Sequence, residues 1–281
     1  MTMTLATAGR RLALSEILGV NSALRRGLVG GVVAILLWEV CSRAPQLFGF
    51  FVPYIGVLPP PSAIILEWTK LIVDPSYWIS WYLSFARVFS GFFVAFAIGV
   101  PLGLLLARNR NFYGAAFPVF EVFRPIPPIA WIPVAIIFWP MQELSIAFVI
   151  FLGAFYTITL NTMNGAREID PALIQSALSM GASNWSIYRW IILPATLPSI
   201  VTGAAIGMGI TWEVVVAAEM ISSGGASRAG GGLGHLMWNA YISGHREAIV
   251  VAMMSIGIAG YGSSALLRLL GGHLTPWLRK K

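Results

Sequence analysis

The sequence predicts an all-α, polytopic membrane protein with six transmembrane helices. Three observations carry that prediction. Only 10% of the 281 residues are charged and 57% are hydrophobic, whereas a soluble domain of this length carries about 25% charged residues. Mean hydropathy is +0.78. Several uncharged runs approach or exceed the roughly 20 apolar residues with which a helix crosses a bilayer.

The elements follow in chain order. Residues 1–26 form a segment with Arg10, Arg11, Arg25 and Arg26 ahead of the first apolar run. No small-x-small cleavage site follows, so the first span is expected to be retained. The spans are 27–42, 81–107, 112–139, 144–163, 197–221 and 248–270. The first span and an interfacial segment make up 27–75, a transmembrane core 76–271, and a basic tail 272–281. Six spans put both termini on one side. With the termini inside, twelve Lys/Arg positions lie inside and four outside, with Arg87 and Arg124 within spans. Positive loops are retained in the cytoplasm, so both termini and the loop 164–196 are expected there. The same rule accounts for the net charge of +7 without a nucleic-acid partner.

Between the first two spans, Pro59-Pro60-Pro61-Ser62 predicts a short interfacial helix capped by Ser62. Ile64, Ile65, Trp68 and Leu71 would lie on one side. Trp78, Trp81 and Tyr82 suit an aromatic belt at the membrane surface. Gly91, Ala95, Gly99 and Gly103 recur every fourth residue in the second span, and Gly203 and Gly207 do so in the fifth. Small residues at that spacing let helix backbones pack closely. The third span holds Pro118, Pro125, Pro127, Pro128 and Pro133 and cannot be a uniform helix. Broken backbone at membrane depth belongs where it is buried or lines a cavity.

Charges within spans are the candidate pathway residues. Arg124, just before the proline break, either attracts an anion, forms a structural pair or snorkels to the membrane surface. Glu219, near the end of the fifth span, is a gate or pathway residue, or an interfacial or structural carboxylate. Glu213 lies deeper, where Arg87 or Arg124 can pair with it. Pro127, Pro128, Trp131 and Trp212 complete the candidate pathway set. Glu39 is expected to face the bundle interior or water. Gly224-Gly225 and Gly230-Gly231-Gly232 form a flexible outer loop or a docking surface for an external partner.

The loop 164–196 is a polar, amphipathic island. Asp170-Pro171 starts a helix that places Leu173, Ala177 and Met180 on one side. Gly181 ends it, and Ser183 caps a second helix carrying Trp185, Tyr188 and Ile192. Leu193-Pro194 is expected to break the chain before the fifth span. Gln175-Ser176-Ala177, three residues, Gly181, nine residues, Ile191, one residue and Leu193-Pro194 resemble the Glu-Ala-Ala…Gly…Ile-x-Leu-Pro motif of bacterial ABC importer permeases. Gln175 and Ser176 depart from that motif.

The nitrate, sulfonate, taurine and bicarbonate branch is similar in further pieces. These are Leu58-Pro59-Pro60-Pro61-Ser62, the run from Ser84 to Phe92, the run from Phe123 to Pro133, Ala217-Ala218-Glu219-Met220 and Gly232-Leu233-Gly234. Phe138-Trp139-Pro140-Met141 departs from that branch. The resemblance implies a type I importer transmembrane domain with a five-helix core and an added N-terminal span, in the bacterial inner membrane. It implies two cytoplasmic ATPase subunits, which bind ATP and Mg, a second permease copy or homologue, and an external substrate-binding protein. Gln175, Ser176, Ala177, Leu178, Ser179, Met180, Gly181 and Ala182 become the ATPase-coupling residues. The cargo becomes an oxoanion or sulfonate.

Other classes find little support. None of Lys70, Lys280 and Lys281 follows a glycine, so no Gly-Lys-Ser/Thr phosphate loop exists. His235, His245 and His273 lack metal-ligand spacing. Cys41 can form no internal disulfide. A membrane-embedded enzyme would need a catalytic constellation that is not visible, and no cofactor is expected in this chain. The alternative, a stand-alone secondary transporter, would need a cluster of ion-coupling charges, and those present are few and scattered.

Overall fold

A computed structural model describes residues 26–45, 49, 57–222 and 231–278. Among them all regular structure is helical. The segment 1–25, most of the glycine-rich loop (223–230) and the last residues of the tail (279–281) lie outside the described residues. Two compact units divide at Lys70 and Leu71.

In the first unit, α1 (Arg26–Pro45) is long and apolar enough to span a membrane. Leu28, Val32, Ile35 and Leu36 are all exposed around it, as suits a surface facing lipid. Glu39 pairs with Arg43 at 2.6 Å. Its carboxylate also accepts the backbone N–H and the hydroxyl of Ser62, at 3.0 and 2.8 Å. Ser62 is therefore not the cap of α2 (Pro61–Val73). Glu39 is, because a carboxylate from α1 takes an amide that the first helical turn leaves unpaired. Ile64 is buried while Ile65 is 62% exposed. Neighbouring residues point about 100° apart on a helix, so the expected single stripe divides.

In the second unit, Asp74 caps α3 (Pro75–Arg108). The Ser76 amide donates to the Asp74 carboxylate and holds its pKa below the ordinary range. Helices α3, α6 (Gln142–Arg167) and α9 (Leu193–Ser222) form the centre, and α10 (Leu233–Ile242) and α11 (Arg246–Leu274) pack on α9. Val88, Phe92, Ile150, Ile158, Met208 and Val215 fill the core between them. Close approach depends on glycine. A Cβ at Gly103 would meet the Thr159 carbonyl oxygen at 2.6 Å, and one at Gly203 would meet the Asn161 side chain at 2.7 Å. Two hydrogen bonds fasten α11: Tyr77 with Ser255 at 2.7 Å, and the Trp212 indole to Ser263 at 2.9 Å.

The third predicted span is two pieces. α4 (Arg110–Phe123) and the turn Pro128–Trp131 with α5 (Ile132–Phe138) meet at 86°. Pro125, Pro127 and Pro128 supply no N–H to continue α4, so the helix stops. α5 has seven residues, about 10 Å of helix, and cannot cross a bilayer alone. Pro118 is accommodated inside α4.

A second break was expected at Leu193-Pro194, and none occurs. The helix runs without interruption from Asn184 to Ile221. Its residues Tyr188–Ile192 form a π turn, in which the Leu193 N–H bonds the Tyr188 carbonyl. Widening the helix there accommodates a proline ring that would otherwise press on the carbonyl four residues back.

Candidate functional site: an open polar face and a docking island

The island lies where α3 and α6 end and α9 begins. Asp170 caps α7 (Pro171–Ser179) by accepting the Ala172 N–H at 2.8 Å. The helix closes through Ala182 N–H to the Ala177 carbonyl and Gly181 N–H to the Leu178 carbonyl. This is the paired C-terminal closure that requires a left-handed residue, and Gly181 has φ +83°. Ser183 caps α8 (Asn184–Ile187).

Ala177, Ile187 and Ile192 pack with Leu104 of α3 as a small core of their own. Leu173 and Met180, expected beside Ala177, are instead exposed. So are Leu178, Trp185 and Trp190. The inner face of α7 is set by Ala177 with Ile174, three residues apart, which leaves the longer apolar side chains outside. Gln175, Ser176 and Ser179 are also exposed, and Ala182 is half-buried. An exposed apolar knob with satisfied backbone suits docking against another protein.

At the opposite end of the bundle, Arg87 of α3 lies between two carboxylates. It meets Glu143 of α6 through two bonds, at 2.6 and 2.9 Å, and Glu219 of α9 at 2.9 Å. Ser84 donates to the Glu219 carboxylate and accepts the Leu233 N–H, while Glu219 accepts the Gly234 N–H at 2.9 Å. Side chains from α3 and α9 thus cap α10, whose own cap residue, Gly232, has no side chain. A Cβ at Gly232 would collide with the Glu219 carboxylate, and one at Gly234 would lie 2.6 Å from the Val216 carbonyl oxygen. Glu219 is 1% exposed and Arg87 6%, so both charges are desolvated and held by complete pairing.

A third region is open. Arg124, Pro128, Tyr156, Thr157, Asn161 and Ile210 are among the residues lining a cavity of about 280 Å³. Arg124 ends α4 and touches Glu121 at 3.3 Å, with both side chains about half exposed. Pairs of that kind contribute about 0–1 kcal/mol, which leaves the guanidinium available. The Asn161 amide donates to the Thr157 carbonyl at 2.8 Å. Phe120 and Phe155 stand edge-on to the Tyr156 ring.

Residues 99–280 match the family of binding-protein-dependent transport system inner membrane components. The chain belongs to that family. It is 34% identical over 230 residues to the nitrate import permease protein NrtB of Synechocystis, covering 78% of this chain and 81% of that one. It is 29% identical over 254 residues to the taurine transport system permease protein TauC of Escherichia coli, covering 88% of each. Among solved structures, a subunit of the inward-facing MetNI methionine ABC transporter has a TM-score of 0.55 at 25% identity. That match covers 71% of this chain and 94% of that one.

Within this ABC importer permease, the residues expected on a pathway separate into two groups. Arg124 and Pro128 line the cavity, and Pro127 and Trp131 flank it at the prolyl turn. Glu213 is exposed. Trp212 is 2% exposed, against Phe85 and bonded to Ser263. Glu219 is sealed in the clamp. Neither reaches the open face, because successive positions on α9 point in different directions and both of these point into the bundle.

Neither candidate partner of Glu213 pairs with it: Arg87 pairs with Glu219 and Glu143, and Arg124 with Glu121. Glu143, Tyr156, Thr157 and Asn161 were missed in the sequence. The signal for the last three was a polar stripe on an otherwise apolar helix. Glu143 gave only an acidic residue in a first turn.

Proposed function

We propose that this chain forms one half of the translocation pathway of an ATP-driven importer for a small oxoanion or sulfonate. The observation that carries the reading is the island. It is a backbone-satisfied turn with exposed Leu178 and Met180, packed through its own core on the end of α3. A push on that turn passes directly into α3 and, through the continuous helix from Asn184, into α9. In this reading residues 175–182 dock on one of two cytoplasmic ATPase subunits, which bind ATP and Mg. A second permease, a copy or a homologue, completes the pathway, and an external binding protein delivers cargo at the clamp end. Both termini then lie in the cytoplasm.

Gly181→Asp tests this in the reconstituted importer. Any side chain at φ +83° costs roughly 1 kcal/mol of local strain, confined to the exposed turn. The expected result is a folded complex in which ATP hydrolysis no longer drives uptake. Uptake by this chain alone, indifferent to ATP, would overturn the reading in favour of a secondary transporter.

A further inference from the structure

Glu213 is a carboxylate within a membrane-crossing helix, nine residues before the end of α9. It is exposed on the protomer and has no ion pair or hydrogen-bonding partner through its side chain among the described residues. A charge in that position belongs on a partner, a water-filled path or a ligand rather than on lipid.

Its surroundings narrow the choice. Ile210, one turn before Glu213, lines the cavity with Arg124, so the two positions are about 4.5 Å apart along the axis. At Gly153 of α6, another lining residue, an added Cβ would lie 3.3 Å from the Val214 side chain and 3.4 Å from that of Ile210, so the two helices pass closely there. The prolyl turn Pro128–Trp131 packs on both α6 and α9. Glu213 lies one helical turn beyond that lining on an exposed side of α9, which sets it at the rim of the groove.

That groove has two poles. At one, the Arg124 guanidinium and the Tyr156 and Thr157 hydroxyls offer donors; neither hydroxyl has a hydrogen-bond partner among the described residues. At the other, Glu213 offers an acceptor. With Glu121 beside Arg124, the face holds two carboxylates against one cation. A bare oxoanion meets no net positive charge there, whereas a solute carrying an anionic group and an ammonium satisfies both poles.

Resting on the pathway reading above, we infer that this face is a half-site for a zwitterion, an aminosulfonate or similar amino acid. Arg124 takes the acidic group and Glu213 the ammonium.

The test is equilibrium binding to the purified importer complex in nanodiscs, with taurine, ethanesulfonate and nitrate as probes. Taurine is expected to bind about tenfold or more tightly than ethanesulfonate, the worth of one charge-assisted contact. Glu213→Gln should abolish that preference, weakening taurine and, by removing a negative charge from the face, strengthening ethanesulfonate. Glu213→Asp should retain part of the preference, and Arg124→Gln should weaken both sulfonates. Equal binding of taurine and ethanesulfonate overturns the inference, as does no saturable binding of either. So does a Glu213→Gln complex whose only defect is loss of the permease pair, which would make Glu213 an interface residue. ATP-driven uptake is measured on the same preparation. Intact uptake with no taurine preference sinks the half-site alone; ATP-independent uptake sinks the importer reading.

Discussion

Glu213 and Glu219 are carboxylates six residues apart on one helix, and they have opposite surroundings. Glu219 is buried and holds a hydroxyl, a guanidinium and a backbone amide. Glu213 is exposed and holds none of these. Six residues amount to 600° of rotation, or 240° after a full turn, which carries one side chain into the bundle and the other out of it. Burial in a complete network makes Glu219 part of the architecture. Exposure at membrane depth makes Glu213 a candidate for contact with something that comes and goes.

The largest effect expected from disturbing this contrast is at the clamp. Arg87→Ala removes the guanidinium that links the buried Glu219 to Glu143, and breaking a buried pair from one side costs about 3–5 kcal/mol. Thermal unfolding of the detergent-purified complex should show a large loss of stability or no folded protein. A near-unchanged midpoint would mean that the clamp is not structural.

Gly232→Ala should have a middling effect. The added methyl collides with the Glu219 carboxylate, and overpacking of this kind costs about 1–3 kcal/mol. Limited proteolysis should report it as earlier cutting around α10, with the island unaffected. Cutting at the wild-type rate would remove the proposed cap from the account.

The smallest effect belongs to Glu213→Gln. With no side-chain partner to lose among the described residues, stability should stay within about 0.5 kcal/mol of wild type. A destabilisation as large as that of Arg87→Ala would erase the distinction between the two carboxylates.

Much of the fold was legible in the sequence because the bilayer imposes a simple rule. Long apolar runs must be helices, since no water is present to satisfy free backbone groups. The proline cluster announced a break, and Asp170, Gly181 and Ser183 marked the island's turns through local hydrogen bonding alone. The site was less legible. Ser84, Arg87, Glu219 and the Gly232-Leu233-Gly234 run are scattered over 150 positions and meet only in three dimensions. Glu39 is expected from the sequence to face the bundle interior or water, and in the structure it caps the helix that follows it.

The sequence by itself determined the class, the long apolar helices, the proline break and the island's turn, because each depends on composition or on residues within a few positions of one another. Tertiary structure alone decided which charges are paired, that Trp212 and Glu219 face inward, that α8 flows into α9 through a π turn, and that Arg124 and Tyr156 share one cavity. Those outcomes depend on the rotation and depth of whole helices against their neighbours. Close packing of small residues such as Gly103 and Gly203 sets both.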